Sequence, residues 1–161
     1  MPPEPPAGHG RVLPIVMHPD PRLGEPCAPV GAPDEAVRDL AEDMLATMYA
    51  APGRGLAAPQ VGVLRRIFVM DVSWKDGAPA PVVMIDPVVE EAGAEAVEME
   101  EACLSIPGEP RTLSRPAEVV MSWTEPDGAR TRRRLTGLEA RCAQHELDHL
   151  DGILILDRAG G

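Results

Sequence analysis

The segment Gln144-His145-Glu146-Leu147-Asp148-His149-Leu150 holds two of the four histidines of the chain, spaced four residues apart. On an α-helix, residues i and i+4 lie on one face one turn apart, so a helical segment lets both imidazoles reach a single metal ion. Glu146 lies between them and can handle protons beside that ion. The segment therefore requires a helix with its histidine face turned inward, and it indicates metal-assisted hydrolysis of a carbonyl compound.

This pattern alone has a second interpretation. Two hydrogen-bonded histidines on a half-buried helix would give the same spacing without any metal. A catalytic metal site usually takes three protein ligands and leaves one position open. Twelve residues follow His149, and they include Asp151 and Asp157 but no His, Cys or Glu. We therefore expect a third ligand from the part of the chain before the motif.

Cysteine provides the candidates for that third ligand. Cys103 lies in Glu101-Ala102-Cys103-Leu104-Ser105, which is typical of a strand running into a turn; as an alternative, it would be a buried thiol that packs as a small hydrophobe. Cys142 competes because it precedes His145 by three residues. Three ligands at i, i+3 and i+7 of one helix cannot easily converge on one ion, so we favour Cys103 and interpret Cys142 as a thiol packed beside the site.

Composition limits the class of protein. The formal net charge of −11 argues against nucleic acid as a partner, and the run Arg130–Arg134 is interpreted as a solvated strand beside an acidic body. Three scattered cysteines do not indicate a disulfide framework. The N-terminus lacks the pattern of a signal peptide, and no apolar run is long enough to cross a membrane. We expect a cytoplasmic protein with no membrane or nucleic-acid partner.

The chain is expected to fold as one domain over residues 12–161, after a Pro/Gly-rich disordered tail over residues 1–11 that includes His9. Six prolines between residues 14 and 33 predict an irregular lead-in. Asp34 and the apolar spacing that follows predict a helix over 34–50. The small residues of 53–60 predict a loop.

Further along the chain, the pattern predicts strands over 66–72, 82–89, 118–124 and 130–136, with a hairpin turn at Pro126-Asp127-Gly128. Residues 90–101 predict a solvent-facing strand with its turn. A second helix is expected from Gly137 to about Asp151, followed by a short last strand over 153–156. The predicted fold class is α+β, with mostly antiparallel strands packed around the HExxH helix and one helix in the N-terminal half.

Three motifs in this order resemble those of the peptide deformylase family, whose patterns are GxGLAAxQ, EGCLS and QHExDHL. Here they read Gly53-Arg54-Gly55-Leu56-Ala57-Ala58-Pro59-Gln60, then Glu101-Ala102-Cys103-Leu104-Ser105, then Gln144 to Leu150. Residues 16–23 also resemble the N-terminal segment of that family. The resemblance covers roughly residues 12–157, and it implies removal of the N-formyl group from formyl-Met peptides or nascent chains.

The resemblance implies roles for the matching residues. Cys103, His145 and His149 would bind one divalent metal ion, Fe(II) in the family, with Zn, Ni or Co able to replace it. Glu146 would act as the proton carrier, and the Gln60 side chain and the Leu104 N–H would stabilise the oxyanion. We expect the substrate-binding residues to be Gly55, Arg54, Glu101, Arg111, Leu138, Arg141 and Cys142.

The chain departs from the family pattern at several places. Ala102 replaces a glycine, which would strain the backbone if φ is positive there and cost little otherwise. Arg54 stands where an aliphatic residue is usual. We expect Arg54 and Arg141 to extend their charged ends into water, although they could instead alter substrate preference.

Expectations for partners and alternative functions complete the prediction. The chain is expected to be a monomer, and the lack of a C-terminal helix would make ribosome association doubtful. A non-catalytic paralogue that binds peptide N-termini is the alternative from another class. A zinc endopeptidase is disfavoured because no third ligand follows His149.

Overall fold

The computed structural model of the chain describes Pro6 and residues 10–159. Seven strands and three α-helices follow one another along these residues. They are α1 (Glu35–Ala50), β1 (Gly55–Ala57), β2 (Ile67–Met70), β3 (Val82–Ala92), β4 (Ala96–Cys103), β5 (Ile106–Pro116), β6 (Glu118–Thr124), β7 (Arg130–Thr136), α2 (Gly137–Leu150) and α3 (Ile155–Ala159). The α+β prediction is confirmed, including a helix in each half of the chain.

Five strands form one antiparallel sheet in the order β1-β2-β3-β6-β7, and β4 with β5 form a separate hairpin. The strand β2 is buried on both faces. Phe68 and Met70 pack in the core shared with α2, whereas Ile67 and Val69 pack in the core shared with α1. A strand covered by a helix on each face is expected to be apolar throughout rather than alternating, as this one is.

The helix α1 begins where the sequence predicts. The Asp34 carboxylate accepts a hydrogen bond from the Val37 N–H at 2.9 Å and caps the first turn. Met44 and Met48 are completely buried against the sheet. The predicted tail of residues 1–11 lies largely outside the described residues, as does His9. At its described end, the Arg11 N–H donates to Asp43 of α1 at 2.7 Å.

Two local predictions are wrong. The segment 53–60 is not a loop, because Gly55–Ala57 pairs with β2 as an edge strand and Ala58–Val61 forms a 3-10 turn. The last apolar run is a helix, α3, rather than a strand. Its start is stabilised by Asp157, whose carboxylate accepts a hydrogen bond from the Leu154 N–H at 2.8 Å. Short apolar runs do not distinguish strand from helix, so contacts outside the run decided both cases.

Backbone strain lies at Asp86, not at Ala102. Asp86 has a φ of 49° and is the only non-glycine residue with a positive φ among residues 6 and 10–159. Ala102 sits at an irregularity of the β4–β5 register without a left-handed backbone, so replacing glycine there costs little. Within the described part of the chain, no helix is both long and apolar enough to span a bilayer.

The strained Asp86 has a structural purpose. Its two carboxylate oxygens accept hydrogen bonds from the Val30 and Gly31 N–H groups at 2.8 and 2.9 Å, and thereby tie the lead-in to β3. We expect Asp86→Ala to lower the free energy of unfolding by about 1–3 kcal/mol, since both N–H groups lose their partner.

Urea denaturation would measure this loss, with Asp86→Asn as the matched control. Asparagine tolerates the left-handed backbone and keeps one acceptor oxygen, so its loss should be smaller. Equal losses of unfolding free energy in the two variants would contradict the idea that the Asp86 carboxylate stabilises the fold through these two hydrogen bonds.

Candidate metal centre and its cavity

Three potential ligands from two elements meet at the end of the β4–β5 hairpin. Cys103 is the last residue of β4, and His145 and His149 lie on the inner face of α2. One ligand atom from each lies within 4.8 Å of the others, and all three side chains are buried. The Cys103 Sγ lies 3.4 Å from His149 Nε2. The structure therefore brings together the three residues that the sequence singles out.

Cys142 lies beside this group rather than in it. Its thiol donates to the carbonyl oxygen of Arg54, the residue before the strand β1, at 3.5 Å. Burial first, and then the negative charge of Glu146, raise the pKa of the Cys142 thiol well above its usual value. A thiol held in its neutral form is a poor metal ligand, because binding requires the thiolate.

Glu101 fixes the orientation of His145. Its Oε1 lies 2.9 Å from His145 Nδ1. A carboxylate only accepts hydrogen bonds, so Nδ1 carries a proton, and Nε2 is the nitrogen at which an ion would replace the second proton. Such a carboxylate–histidine pair is the usual support behind a metal-binding imidazole.

A buried charge network holds Glu101 in turn. Arg115 of β5 donates to both oxygens of Glu101, at 2.6 and 2.9 Å, and to Asp148 of α2 at 2.8 Å. Arg158 of α3 donates to the same Asp148 at 2.5 and 2.7 Å. Burial alone would raise the pKa of Glu101, but hydrogen bonds from His145 and the arginines outweigh it and hold that pKa well below its usual value. The carboxylate is therefore ionised in the folded chain.

Arg141 belongs to this network, which contradicts the expectation that its charged end extends into water. Its side chain is buried, and Nη1 donates to Glu101 at 2.7 Å and to the Leu113 carbonyl at 3.0 Å. Nη2 donates to the Val97 carbonyl at 2.6 Å. The physical reason is that an ionised carboxylate and two backbone carbonyls inside the protein offset the loss of water around the guanidinium.

Glu146 lies next to the ligands with its carboxylate in the interior. Its Oε2 is 4.0 Å from His145 Nε2, and its Oε1 is buried without a hydrogen-bond partner in the described residues. Burial raises the pKa of Glu146 to about 7, against the opposing charge of His145. A carboxyl group with a pKa near neutrality can both accept and return a proton.

The strand β1 comes unusually close to this carboxylate. A methyl group on Gly55 would lie 2.5 Å from Glu146 Oε2 and 2.7 Å from Cys142 Sγ. Glycine at this position therefore leaves room for the functional side chains of α2, in addition to any approach of a ligand backbone.

Gln60, in the 3-10 turn after β1, is a further polar side chain beside the ligands. It is 1% exposed, and its Oε1 accepts a hydrogen bond from the Ala57 N–H at 3.0 Å. This bond aims the amide nitrogen at the site, where it donates to Ser105 Oγ at 3.1 Å and lies 3.6 Å from Cys103 Sγ. The amide is thus a positioned donor beside the candidate metal ligands.

The electrostatics of the three ligands fit a divalent cation. Burial lowers the pKa of His145, but Glu146, Cys103 and Glu101 outweigh it and raise that pKa to about 10. Burial lowers the pKa of His149 to about 3, so this imidazole is neutral. A cation held by the thiolate and two imidazoles would compete with the proton on His145 and neutralise the surrounding negative charge.

A cavity of about 520 Å³ opens from this group to the surface. Of the residues predicted from the sequence, it is lined by Arg54, Gly55, Gln60, Glu101, Cys103, Leu104, Leu138, Arg141, Cys142, His145 and Glu146. Arg111 is not among the lining residues; it stands opposite Glu101 in the hairpin and contacts Pro110 and Glu109. Glu101 lines the cavity, but both of its carboxylate oxygens already accept hydrogen bonds from protein side chains.

Sequence reasoning missed Arg115, Asp148, Ser105 and Lys75. Arg115 shares a strand face with the buried Leu113, and Asp148 lies three residues after His145 on the inner face of α2. A charge at an inward-facing position is a signal for a buried ion pair, so the first two could have been found. Nothing in the sequence relates Lys75 to the cavity, since that contact depends on the tertiary structure.

Comparisons with known proteins give one consistent family. The family model described as polypeptide deformylase matches residues 12–161. The chain is 46% identical to peptide deformylase 2 of Prochlorococcus marinus MIT 9313, over 80% of this chain and 64% of that protein. It is 46% identical to a peptide deformylase of Mesorhizobium japonicum, over 91% of this chain and 83% of that protein. The match thus spans less than two thirds of the Prochlorococcus protein.

A solved structure also indicates the peptide deformylase family. The fold is similar to that of a class I type b peptide deformylase from Acinetobacter baumannii bound to Met-Ala-Ser, with a TM-score of 0.84 and 34% identity. The similarity covers 91% of this chain and 98% of that one.

Metal binding should depend on Cys103 and not on Cys142. We expect the chain, purified without oxygen and titrated with Co(II), to bind one ion with a near-ultraviolet thiolate charge-transfer band. Cys103→Ala should remove the band and weaken binding by at least about 100-fold, since loss of an outer partner alone costs 10–100-fold. Cys142→Ala is the matched control and should keep both. A band that survives in Cys103→Ala and disappears in Cys142→Ala would reverse the assignment.

Glu101 should dominate the acid stability of the fold. Its folded pKa lies below the ordinary value of 4.5, so its stabilisation is complete above about pH 4.5 and is lost as the pH falls towards the folded pKa. We expect Glu101→Gln to lower the free energy of unfolding at pH 7 by about 3–5 kcal/mol, because Arg115 and Arg141 keep buried charges.

Urea denaturation between pH 3 and 7 would measure both effects. The variant should lose less of its stability on acidification than the unchanged chain. Glu98→Gln, on the same strand but exposed, is the control and should leave the pH profile as it is. Parallel acid profiles for Glu101→Gln and the unchanged chain would refute the linkage.

Proposed function

The chain belongs to the polypeptide deformylase family, and from that premise we propose that it hydrolyses the N-formyl group of formyl-methionyl polypeptides and releases formate. The observation that carries this proposal is that Cys103, His145 and His149 present their ligand atoms to one another, and that Cys103 and His145 line one cavity together with Glu146. We also propose that the protein acts in the cytoplasm on newly made chains; its monomeric state stays a prediction.

We assign Cys103, His145 and His149 as the residues that would hold a divalent cation. The bound ion would supply Lewis acidity and would acidify a water molecule at neutral pH. One thiolate and two imidazoles suit Fe(II), Zn(II), Ni(II) and Co(II), and the family resemblance favours Fe(II).

Glu146 would carry the proton through the reaction. As water adds to the formyl carbon, its proton passes to the Glu146 carboxylate. The C–N bond then breaks, the same proton passes to the leaving amine, and formic acid and a free methionyl N-terminus are formed; formic acid then loses its remaining proton to solvent and leaves as formate. The position of the carboxylate beside His145 and its pKa of about 7 support this role.

Gln60 and Leu104 would stabilise the negative charge that develops on the formyl oxygen. The Gln60 amide is fixed before any substrate arrives, because Ala57 holds its oxygen and the nitrogen faces Cys103. Leu104 follows Cys103 directly and lines the same cavity. Donors that need no reorganisation are the main source of stabilisation for such oxyanions.

An extended peptide would bind along the free edge of β1. The Asp71 N–H donates to the Arg54 carbonyl at 2.8 Å, so Arg54 and Asp71 form a hydrogen-bonded pair of the ladder. The next pair, Gly55 with Met70, is then non-hydrogen-bonded, and the N–H and C=O of Gly55 point away from β2. These groups are free to pair with the backbone of a substrate, as in other cases of strand addition.

The methionine side chain would occupy the part of the cavity lined by Leu138, Cys142 and the stem of Arg141. Leu138 is 46% exposed and offers apolar surface at the mouth. Glu101 contributes through the orientation of His145 and Arg141 rather than by direct contact. Arg111 stays a substrate-binding prediction, and its place outside the cavity lining gives it no support.

Formate release from an amidated formyl-Met tripeptide tests the proposal. We expect turnover by the protein loaded with Fe(II) without oxygen, or with Ni(II), and a loss of about 10²–10⁴-fold in kcat for Glu146→Gln. This substitution keeps the shape of the side chain and removes the proton carrier. The metal content of both proteins, measured in the same samples, should be equal. Absence of turnover in a chain with one ion bound would reject the proposal.

A further inference from the structure

Two positive charges stand together at the mouth of the cavity without a carboxylate partner. Arg54 and Lys75 both line it, and neither forms an ion pair within the described ranges 6 and 10–159. By contrast, Arg132, Arg133 and Arg134 of β7 pair with glutamates. In a chain with 26 acidic and 15 basic residues, Arg54 and Lys75 thus leave a positive charge on one side of the cavity that no carboxylate pairs with in the described residues.

The positive charges of Arg54 and Lys75 repel each other. Burial lowers the pKa of Lys75 first, and the positive charge of Arg54 lowers it further. Trp74 fixes the lysine in place: the ammonium lies 5.7 Å from the centre of the indole ring, and the indole N–H donates to the Gly53 carbonyl at 2.9 Å. Through Trp74, the Lys75 ammonium is therefore held near the backbone that precedes Arg54. A bound anion would relieve the repulsion between the two.

Arg54 and Lys75 lie where a bound peptide would extend outward from the candidate metal ligands. The inner end of the cavity is set by Gln60 and Cys103, which are 1% and 6% exposed. Gly55, half-buried, lies between this end and the exposed Arg54. A peptide whose formyl group reaches Cys103 and whose backbone pairs with Gly55 must pass Arg54 and Lys75 with its next residues.

We propose that Arg54 and Lys75 make the site prefer formyl-methionyl peptides with Asp or Glu at the second or third position. This specificity rests on the deformylase function proposed above. The charged groups further inside the cavity do not neutralise the positive charge of Arg54 and Lys75. Glu101 and Arg141 bind one another at 2.7 Å, and Glu146 is buried at the inner end.

Glu100 is the one exposed carboxylate among the lining residues. It lies on β4, whereas Arg54 and Lys75 lie beside β1 and after β2. The cavity mouth therefore carries positive charge on the β1 side and negative charge on the β4 side. Glu100 opposes the binding of an acidic side chain, so its removal should strengthen the preference.

The test compares amidated peptides that differ only in charge: formyl-Met-Glu-Ser-amide against formyl-Met-Gln-Ser-amide, and formyl-Met-Ser-Glu-amide against formyl-Met-Ser-Gln-amide. Amidation removes the terminal carboxylate, which would otherwise supply the same anion. We expect kcat/KM to favour glutamate at one of the two positions by about two- to fivefold at low ionic strength, the range for exposed charge pairs. The ratio should approach one at about 1 M salt.

Variants assign the effect to these two residues. The double substitution Arg54→Gln with Lys75→Gln should bring the glutamate-to-glutamine ratio to about one, and Glu100→Gln should increase it. The matched control is Arg132→Gln with Arg134→Gln, which removes two positive charges from β7 outside the cavity. This control should keep the ratio of the unchanged chain, since the net charge changes equally.

The outcomes separate this inference from the proposed function. Hydrolysis of the glutamine peptides with a ratio of one at both positions overturns the specificity and leaves the deformylase function standing. If no peptide is hydrolysed, the proposed function fails. Calorimetry with the product peptides Met-Glu-Ser-amide and Met-Gln-Ser-amide then decides the charge preference by itself. Equal affinities there, or a ratio lost equally in the β7 control, would also overturn it.

Discussion

The bidentate pairing of Arg115 with Glu101 is the contact on which the site depends. It joins the hairpin strands β4 and β5 to each other, and Glu101 in turn reaches His145 of α2. Through Asp148, the same guanidinium is connected to Arg158 of α3. Buried ions are costly unless every one is paired, so this network tolerates little displacement of the four elements relative to one another. The position of Cys103 against the two histidines follows from it.

The close approach of β1 to α2 is the second constraint. Gly55 leaves no room for a side chain next to Glu146 and Cys142, and the pairing of β1 with β2 places that glycine at the free edge of the sheet. The proton carrier and the substrate backbone thus share one narrow space. A carboxyl group in such a dry environment keeps its proton more readily than in water, which agrees with its pKa of about 7.

Sequence patterns predicted the parts of the fold that local rules govern. The capped helix after Asp34 and the turn at Gly128 both lie where they were expected, because capping and turn conformations depend on neighbouring residues. The edge strand Gly55–Ala57 and the helix α3 were missed, since their state depends on contacts with distant segments. Arg141 was misjudged for the same reason: its partner Glu101 lies 40 residues away.

By itself, the sequence determined a helix with His145 and His149 on one face, and it limited the third ligand to two candidate thiols. It also determined a family resemblance, carried by three motifs in order. Periodicity and motif spacing are local properties, so they can be read without coordinates. Only the tertiary structure decided that Cys103 rather than Cys142 faces the histidines, that Arg141 is buried, and that Lys75 stands beside Arg54. Those relations join residues far apart in the chain, and the packing of the hairpin and β1 against α2 alone brings them together.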